Sequence, residues 1–405
     1  MRILHVVPRY PPSIGGSEVW AAGLARWQRA QGHEVDVLTL RAVQDDELWG
    51  EGPVLPAPVA VGSADSDRGV RVRRFPHRRL GPGARWLLWR LRLSSLSHCH
   101  SPALYGVLLR EARAVDIIHA HTVPGPHLCT CWLSARAARK PLVLTPHFHA
   151  GDPVHEQAPY RWLLRHADAV FAVSSAETSA LAARKVPPDR IVTTSNAIDT
   201  PTLVDSTRAK AVVRGALSVP AHASLVTFLG RKVASKGVEL LLQAMTLSTR
   251  RPPPVLALAG PATAWYRALG DRIRGDNIRD LPPLPEAAKF DLLAASDLLV
   301  LPSKSEAFGI VLLEAWAAGT PVLGADIPPV REVIGDGGLT FRPDDAADLA
   351  ARIDQMLASP DEARAMAERG GRKIRAQYTW ERVGSTVMTG YTLAASRRAR
   401  CRATP

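Results

Sequence analysis

The sequence predicts an α/β protein of two doubly wound domains. Three observations carry this prediction: the length of the chain, a strand–helix rhythm that runs twice, and a polar break between the two runs. At 405 residues the chain exceeds one ordinary domain, and a 46% hydrophobic share is enough for sizeable cores. Short apolar runs alternate with helical segments, the pattern of parallel sheets covered on both faces. The break, Thr200–Arg208, is polar and contains Pro201, as expected of a domain boundary.

In chain order, Arg2–Val7 is an apolar strand and Ser17–Gln31 a helix with Gly32 just past its end. Glu34–Leu40 follows as a strand, then a strand holding Val70, Val72 and Phe75, then an arginine- and tryptophan-rich stretch. Val115–Ala120, Leu142–Thr145, Ala169–Val173 and Ile191–Thr194 complete the first run. The second run has Leu225–Leu229, Val255–Ala259, Leu298–Leu301 and Pro321–Gly324 as strands. The expected domains are 1–199 and 200–379. Val383, Val387 and Tyr391 form an amphipathic stripe that needs a surface to cover. Two such halves facing each other would form a cleft at the carboxyl ends of their strands, where ligands bind in this architecture.

Composition narrows the function classes. No apolar run approaches the roughly 18 residues needed to span a bilayer, and Ile3–Val7, stopped by Pro8, is too short for a signal peptide. Four cysteines in so long a chain make no disulfide framework. The expectation is a cytoplasmic protein without cofactor, with no sign of nucleic-acid recognition. The net charge of +13 is concentrated: nine arginines and no acidic residue lie between Arg68 and Arg92, and Arg397, Arg398, Arg400 and Arg402 lie in the tail. Beside Trp86–Trp89, the Arg68–Arg92 block suggests peripheral contact with an anionic membrane at its inner face or with a polyanionic acceptor. A solvated arginine-rich face is the competing explanation.

Three segments carry chemistry. Pro8–Glu18 (PRYPPSIGGSE) joins the first strand to its helix, and Gly15 and Gly16 allow close backbone approach to an anion at a helix start. Gly230–Gly237 (GRKVASKG) sets Arg231 and Lys236 at a strand's carboxyl end, a bidentate fork and a point charge suited to a diphosphate. It is not a Walker A loop, and GxGxxG is absent from both domains. Pro302–Pro321 (PSKSEAFGIVLLEAWAAGTP) is the most informative. Glu306 precedes a helix opened by Gly309, and Glu314 lies two turns inside it. Carboxylates at two depths suit the hydroxyls of one elongated ligand, while the first amides of the helix suit its anion.

In this order, Gly15–Gly16–x–Glu18, GRxxxxKG and ExxxxxxxE resemble the retaining family-4 glycosyltransferases of the GT-B fold, the glycosyl transferase group 1 type. AVSS (Ala172–Ser175), NAID (Asn196–Asp199), AGP (Ala259–Pro261) and SDLLVLPS (Ser296–Ser303) match as well, so the resemblance covers almost the whole chain. It implies two facing Rossmann-like domains: an acceptor-side N-terminal one, onto which residues from about 380 to 405 return, and a nucleotide-sugar-binding C-terminal one. The implied activity is retaining, metal-independent hexosyl transfer from a UDP- or GDP-sugar such as GDP-mannose. The acceptor would be a glycan, a lipid-linked molecule or a small molecule. Arg231 and Lys236 would hold the diphosphate, Glu314 the ribose and Glu306 the transferring sugar. Backbone amides of Phe308, Gly309, Ile310, Val311 and Leu312 would contact sugar and phosphate. Gly16, beside Gly15, would approach the diphosphate. The family's histidine in the fourth-strand loop falls on His121, with His119 the alternative.

Two positions depart from the family pattern. Lys232 stands where an apolar residue is usual, and Asp280–Leu281–Pro282–Pro283 where a glycine often borders the nucleobase. The second leaves the base, uracil or guanine, open. Twelve of the thirteen histidines precede residue 200, yet HCH (98–100), His119 with His121, CTC (129–131) and His147 with His149 lack zinc-site spacing. They are expected to be satisfied polar residues, with no metal. Asp65–Ser66–Asp67 spells DxD but is expected in a polar loop, as chance. The competing functions are a sugar-nucleotide epimerase of the same fold and a non-catalytic sugar-nucleotide-binding protein.

Overall fold

The computed structural model describes residues 1–13, 15–42, 64–97, 99–199, 206–220 and 222–403. The chain divides into two compact units, Met1–Asn196 with Trp380–Pro405, and Ala197–Thr379. The division thus falls a few residues before the expected break. Residues 200–205 of that break lie outside the described residues, and Arg208 is already inside a helix, Ser206–Ala216.

The N-terminal unit is built on β1 (Arg2–Val7), β2 (Glu34–Leu40), β3 (Ala64–Asp67), β4 (Val70–Phe75), β5 (Ile117–His121), β6 (Leu142–Thr145), β7 (Ala169–Ala172) and β8 (Ile191–Thr193). They form one sheet in the order β3-β4-β2-β1-β5-β6-β7-β8. Every pairing is parallel except β3 with β4, an antiparallel edge that the strand rhythm did not predict. The order reverses between β1 and β5, the position at which such sheets bind ligands. Ile118 and Ala120 of β5 point into the larger apolar core. His119 and His121, at alternate positions, are buried as well.

The final helix, Trp380–Ala403, packs on the first helix (Gly16–Ala30) and on β6, β7 and β8. Val383, Val387, Tyr391 and Ala394 are buried along one stripe, and each large side chain contributes about 1.5–3 kcal/mol. The two helices come close because each offers a glycine to the other's tryptophan. A Cβ on Gly23 would lie 1.8 Å from the Trp380 ring, and one on Gly384 would lie 2.2 Å from that of Trp27.

The C-terminal unit has β9 (Leu225–Leu229), β10 (Val255–Ala259), β11 (Ile278–Leu281), β12 (Leu298–Leu301), β13 (Val322–Ala325) and β14 (Leu339–Phe341). Its sheet is wholly parallel, in the order β11-β10-β9-β12-β13-β14. Polar residues in β11 and the shortness of β14 hid both strands from pattern reading. Here the order reverses between β9 and β12, which lie side by side with Leu298 opposite Val226. Among the described residues no helix is long and apolar enough to cross a membrane.

Candidate functional site

In the C-terminal unit, the adjacency of β9 and β12 places the loops that leave them against each other. Gly237 has φ +71°, and a Cβ there would lie 2.0 Å from Pro302 O, so only glycine lets the Lys236 loop press on the exit of β12. Lys304 N–H donates to Ser235 O at 2.9 Å, fastening one loop to the other. The result is an ion pair, Lys236 Nζ to Glu306 Oε1 at 2.6 Å, with both side chains largely buried. Gly309, at φ +92°, caps the helix Ile310–Ala317, whose amino end adjoins this pair in sequence. Leu312 N–H donates to Gly309 O at 3.0 Å, so this amide is engaged within the helix turn. Phe308 is buried with its ring 5.6 Å from that of Tyr378.

Glu314 is 7% exposed and bonded by Lys289 Nζ at 2.6 Å. Arg231 is half-buried. The two departures from the family pattern turn out to be partners. Lys232, only 1% exposed, bonds Asp280 Oδ1 at 2.5 Å and Leu281 O at 2.7 Å. Tyr266 O–H donates to the same Asp280 oxygen at 2.8 Å, and the lysine stands 5.0 Å from the Tyr266 ring centre. Burial lowers the Lys232 pKa, and Asp280 opposes that effect. Asp280 and Leu281 are strand residues of β11, rather than following a strand.

In the N-terminal unit, Gly15 precedes the first helix and Gly16 begins it. A Cβ on Gly15 would lie 2.1 Å from Glu18 Oε2, so the glycine makes room for this carboxylate. Glu18 is buried and paired with Arg9 at 2.5 Å. His121 is the last residue of β5 rather than a loop residue. The β1–β5 register sets His5 opposite His119, and the two-residue repeat of the strand brings His121 to the same face. All three rings are buried and close: His5 Nδ1 lies 2.8 Å from His121 Nε2, and the His119 and His121 rings stack at 4.0 Å. Gln28 of the first helix and Tyr391 of the final helix close the cluster, bonding His5 at 2.8 Å and His119 at 2.7 Å. Burial keeps the rings neutral, lowering His5, His127 and His147 to about 4 and taking His119 and His121 well down.

One nitrogen from each of His5, His119 and His121 lies within 4.8 Å of the others, a spacing that could hold a metal ion. His119 nevertheless has both nitrogens bonded, to Tyr391 and Thr145, and His5 has both bonded, to Gln28 and His121. The remaining pairs do not converge. His98 lies outside the described residues, and His100 bonds Leu96 O and Tyr105. Cys129 is exposed while Cys131 is buried, and the His149 ring packs on that of His155.

Two family patterns match the chain: glycosyl transferase 4-like domain over residues 15–197, and glycosyl transferases group 1 over residues 213–373. The chain belongs to the group 1 type of GT-B glycosyltransferases. Similar curated proteins include the D-inositol 3-phosphate glycosyltransferase of Jonesia denitrificans, 27% identical across 96% of this chain and 95% of that protein. That of Saccharomonospora viridis is 29% identical across 96% and 92%. Among solved structures, Anabaena HepE in complex with UDP and glucose superposes with a TM-score of 0.75, 20% identity and coverage of 97% and 99%. Sucrose-phosphate synthase from Thermosynechococcus elongatus gives 0.71, 20%, and 97% and 98%.

The DxD triplet of this glycosyltransferase is in strand β3, not a loop, and its carboxylates are taken. Asp65 pairs with Arg74 at 3.1 Å, and Asp67 accepts from Arg26 at 2.9 Å and from Tyr10 O–H at 2.8 Å. The basic block is likewise two things. Arg71, Arg73 and Arg74 of β4 are paired with Asp36, Glu111 and Asp65. The helix Pro82–Arg90 has no buried residue at all. Sequence reading missed Lys289, Gln28 and Tyr391. Lys289 had no motif around it, and Gln28 and Tyr391 gain meaning only from helices that meet across hundreds of residues.

Proposed function

We propose that this glycosyltransferase moves a hexosyl unit from a UDP- or GDP-sugar with retention of anomeric configuration and without a metal ion. The observation that carries the reading is the Lys236–Glu306 pair at the sheet's reversal point, next to the amino end of helix Ile310–Ala317. Charge builds on the leaving diphosphate, so catalysis needs preorganised positive potential there. An arriving diphosphate exchanges with Glu306 for Lys236, which frees that carboxylate to accept hydroxyl hydrogen bonds from the sugar. Arg231 is assigned to the same diphosphate, with the amides of Phe308, Gly309, Ile310 and Val311, and Glu314 to the ribose. The amide of Leu312 drops out of this assignment because Gly309 O already holds it. Gly15, Gly16 and His121 are assigned to the donor.

The anomeric carbon–oxygen bond breaks with its electron pair passing to the phosphate oxygen. The acceptor oxygen bonds the anomeric carbon on the same face, and its proton passes to that phosphate oxygen. HepE, solved with UDP and glucose, supports a uridine donor. The D-inositol 3-phosphate glycosyltransferases support including a phosphorylated polyol among the acceptors. The test is a thermal-shift panel of UDP-glucose, other UDP-sugars and GDP-mannose, followed by transfer assays with excess chelator and product anomer assignment by NMR. A donor at 100 times its Kd adds about 2.7 kcal/mol of stability. Hydrolysis or transfer that stops with chelator and returns with magnesium overturns metal independence, and an inverted product overturns retention.

A second reading, contact with an anionic membrane, is favoured by one observation. The helix Pro82–Arg90 leaves Trp86, Leu87, Trp89 and the following Leu91 all more than half exposed. Arg90 stacks 5.2 Å over Trp86. Tryptophan and arginine side by side suit a headgroup layer. Flotation with anionic vesicles should be lost at high salt and in Arg85→Glu/Arg90→Glu, whose residues have no place in the β4 ion pairs. Equal recovery of both proteins with vesicles, or of neither, removes this reading.

A further inference from the structure

The buried histidines decide which ring nitrogen of His121 carries the proton. The Gln28 amide has Met388 Sδ at 3.8 Å and Tyr391 Oη at 3.2 Å on one side, and His5 Nε2 at 2.8 Å on the other. A thioether sulfur only accepts, so the NH2 group faces Met388 and Tyr391, and the carbonyl oxygen faces His5. That oxygen has no hydrogen, so His5 Nε2 donates to it. A neutral ring protonated on Nε2 has a bare Nδ1, and His121 Nε2 lies 2.8 Å from that lone pair. His121 Nε2 is therefore the donor. Its own Nδ1 is left bare, buried and without a partner.

The second branch agrees. Tyr391 Oη accepts from Gln28, and being fully buried it must place its proton on His119 Nδ1, 2.7 Å away. His119 Nε2 then donates to Thr145 Oγ1 at 2.7 Å. The bonds of this branch then run from Gln28 to Tyr391, His119 and Thr145, and the one ring nitrogen of His5, His119 and His121 without a partner is His121 Nδ1.

We propose that Gln28, oriented by Met388 and Tyr391 of the final helix, acts through His5 to hold the His121 proton on Nε2, so that Nδ1 is a pure acceptor for a hydroxyl of the donor sugar. The hydroxyl assignment rests on placing His121 at the donor sugar; the proton assignment does not. A bare lone pair takes an O–H and repels a phosphate oxygen. In this state His121 selects hydroxyls and does not serve as a general acid. Gln28 is a positioning residue. A metal bound by His5, His119 and His121 would require His5 to give up Gln28 or His121, and His119 to give up Tyr391 or Thr145.

The full chain labelled with 15N-histidine answers the first question by long-range proton–nitrogen correlation, with His121 identified by its loss in His121→Gln. The resting protein should show His121 with Nδ1 bare and Nε2 protonated. A proton on Nδ1, an averaged mixture, or stoichiometric zinc in the purified protein overturns the proposal. In Gln28→Leu the tautomers should mix and kcat/KM for the sugar nucleotide should fall about tenfold. An unchanged single tautomer in that variant removes Gln28 from the role, and Tyr391→Phe repeats the test if Gln28→Leu does not fold. The Nδ1 resonance should move with UDP-glucose, or with whichever sugar nucleotide the panel selects, and stay put with the nucleoside diphosphate alone. The same response to both, or none to a bound sugar nucleotide, overturns the hydroxyl assignment. If no sugar nucleotide binds at all, the donor reading and the hydroxyl assignment fail together, while the tautomer measurement still decides the proton's place.

Discussion

The two units bury polar groups by different means around their parallel sheets, although the N-terminal unit also holds one buried ion pair, Arg9 with Glu18. The N-terminal unit uses neutral rings: His5, His119 and His121 are fully enclosed and bonded among themselves and to Gln28, Tyr391 and Thr145, with His121 Nδ1 the one nitrogen of these rings left without a partner. The C-terminal unit uses charge in pairs: Lys236 with Glu306, Lys289 with Glu314 and Lys232 with Asp280. Neutral groups can be buried deeply because hydrogen bonds alone compensate their lost hydration. Ions need a counter-ion, and the Lys236–Glu306 pair keeps some exposure, 19% and 11%, whereas Lys232 is as enclosed as the histidines. On the proposed function, the difference separates a unit that would read hydroxyls from one that would hold an anion.

The largest expected effect breaks the comparison by acid. His5, His127 and His147 have folded pKa values near 4, lowered by burial from 6.5. Between those values the unfolded state binds protons that the native unit does not, so stability falls as pH drops from about 6.5 towards 4; His119 and His121, lowered further, add to the slope, and Glu177, raised to about 7 by burial, opposes it by one proton. In the C-terminal unit, Asp326, held below the carboxylate range chiefly by its hydrogen bond from Arg331, loses its contribution only as pH falls below about 4. Pulsed hydrogen exchange along a urea series, at neutral pH and at pH 5, should show the N-terminal unit weakened first. Equal weakening of both units contradicts the neutral-histidine description.

Next in size is Lys236→Ala, which removes the cation proposed to face the leaving group and should lower turnover on the order of 10²-fold, about 2.7 kcal/mol. Steady-state kinetics with a confirmed donor measures it, and near-normal turnover would detach this pair from the reaction. Smallest is Asp280→Ala. It leaves Lys232 buried against Leu281 O alone. Breaking a buried pair costs about 3–5 kcal/mol. Because the Asp280 side chain is 44% exposed, about 2 kcal/mol is expected after solvent screening. Lys232→Met in the same background should recover much of that loss in chemical denaturation, since an apolar side chain of similar length needs no partner.

The alternating apolar runs placed most strands of both sheets, because a strand buried on both faces must be apolar wherever it occurs. The rhythm could not show β3 and β11, whose polar residues are satisfied by partners on other elements: Asp65 and Asp67 by Arg74 and Arg26, Asp280 by Lys232 and Tyr266. The same limit misplaced the DxD triplet in a loop. Glu306, Glu314, Arg231 and Lys236 were legible as candidates because motif spacing survives in one dimension.

By itself the sequence determined the two-domain α/β class and the family, and it drew attention to the glycine, arginine, lysine and glutamate positions. Those depend on local periodicity and on residues close together in the chain. Only the tertiary structure decided which ions pair, that the two departures at 232 and 280 answer each other, and that a glutamine and a tyrosine 363 residues apart orient one amide. Hydrogen-bond direction is a property of neighbours in space. It becomes readable only when sheet register and helix packing have brought those neighbours together.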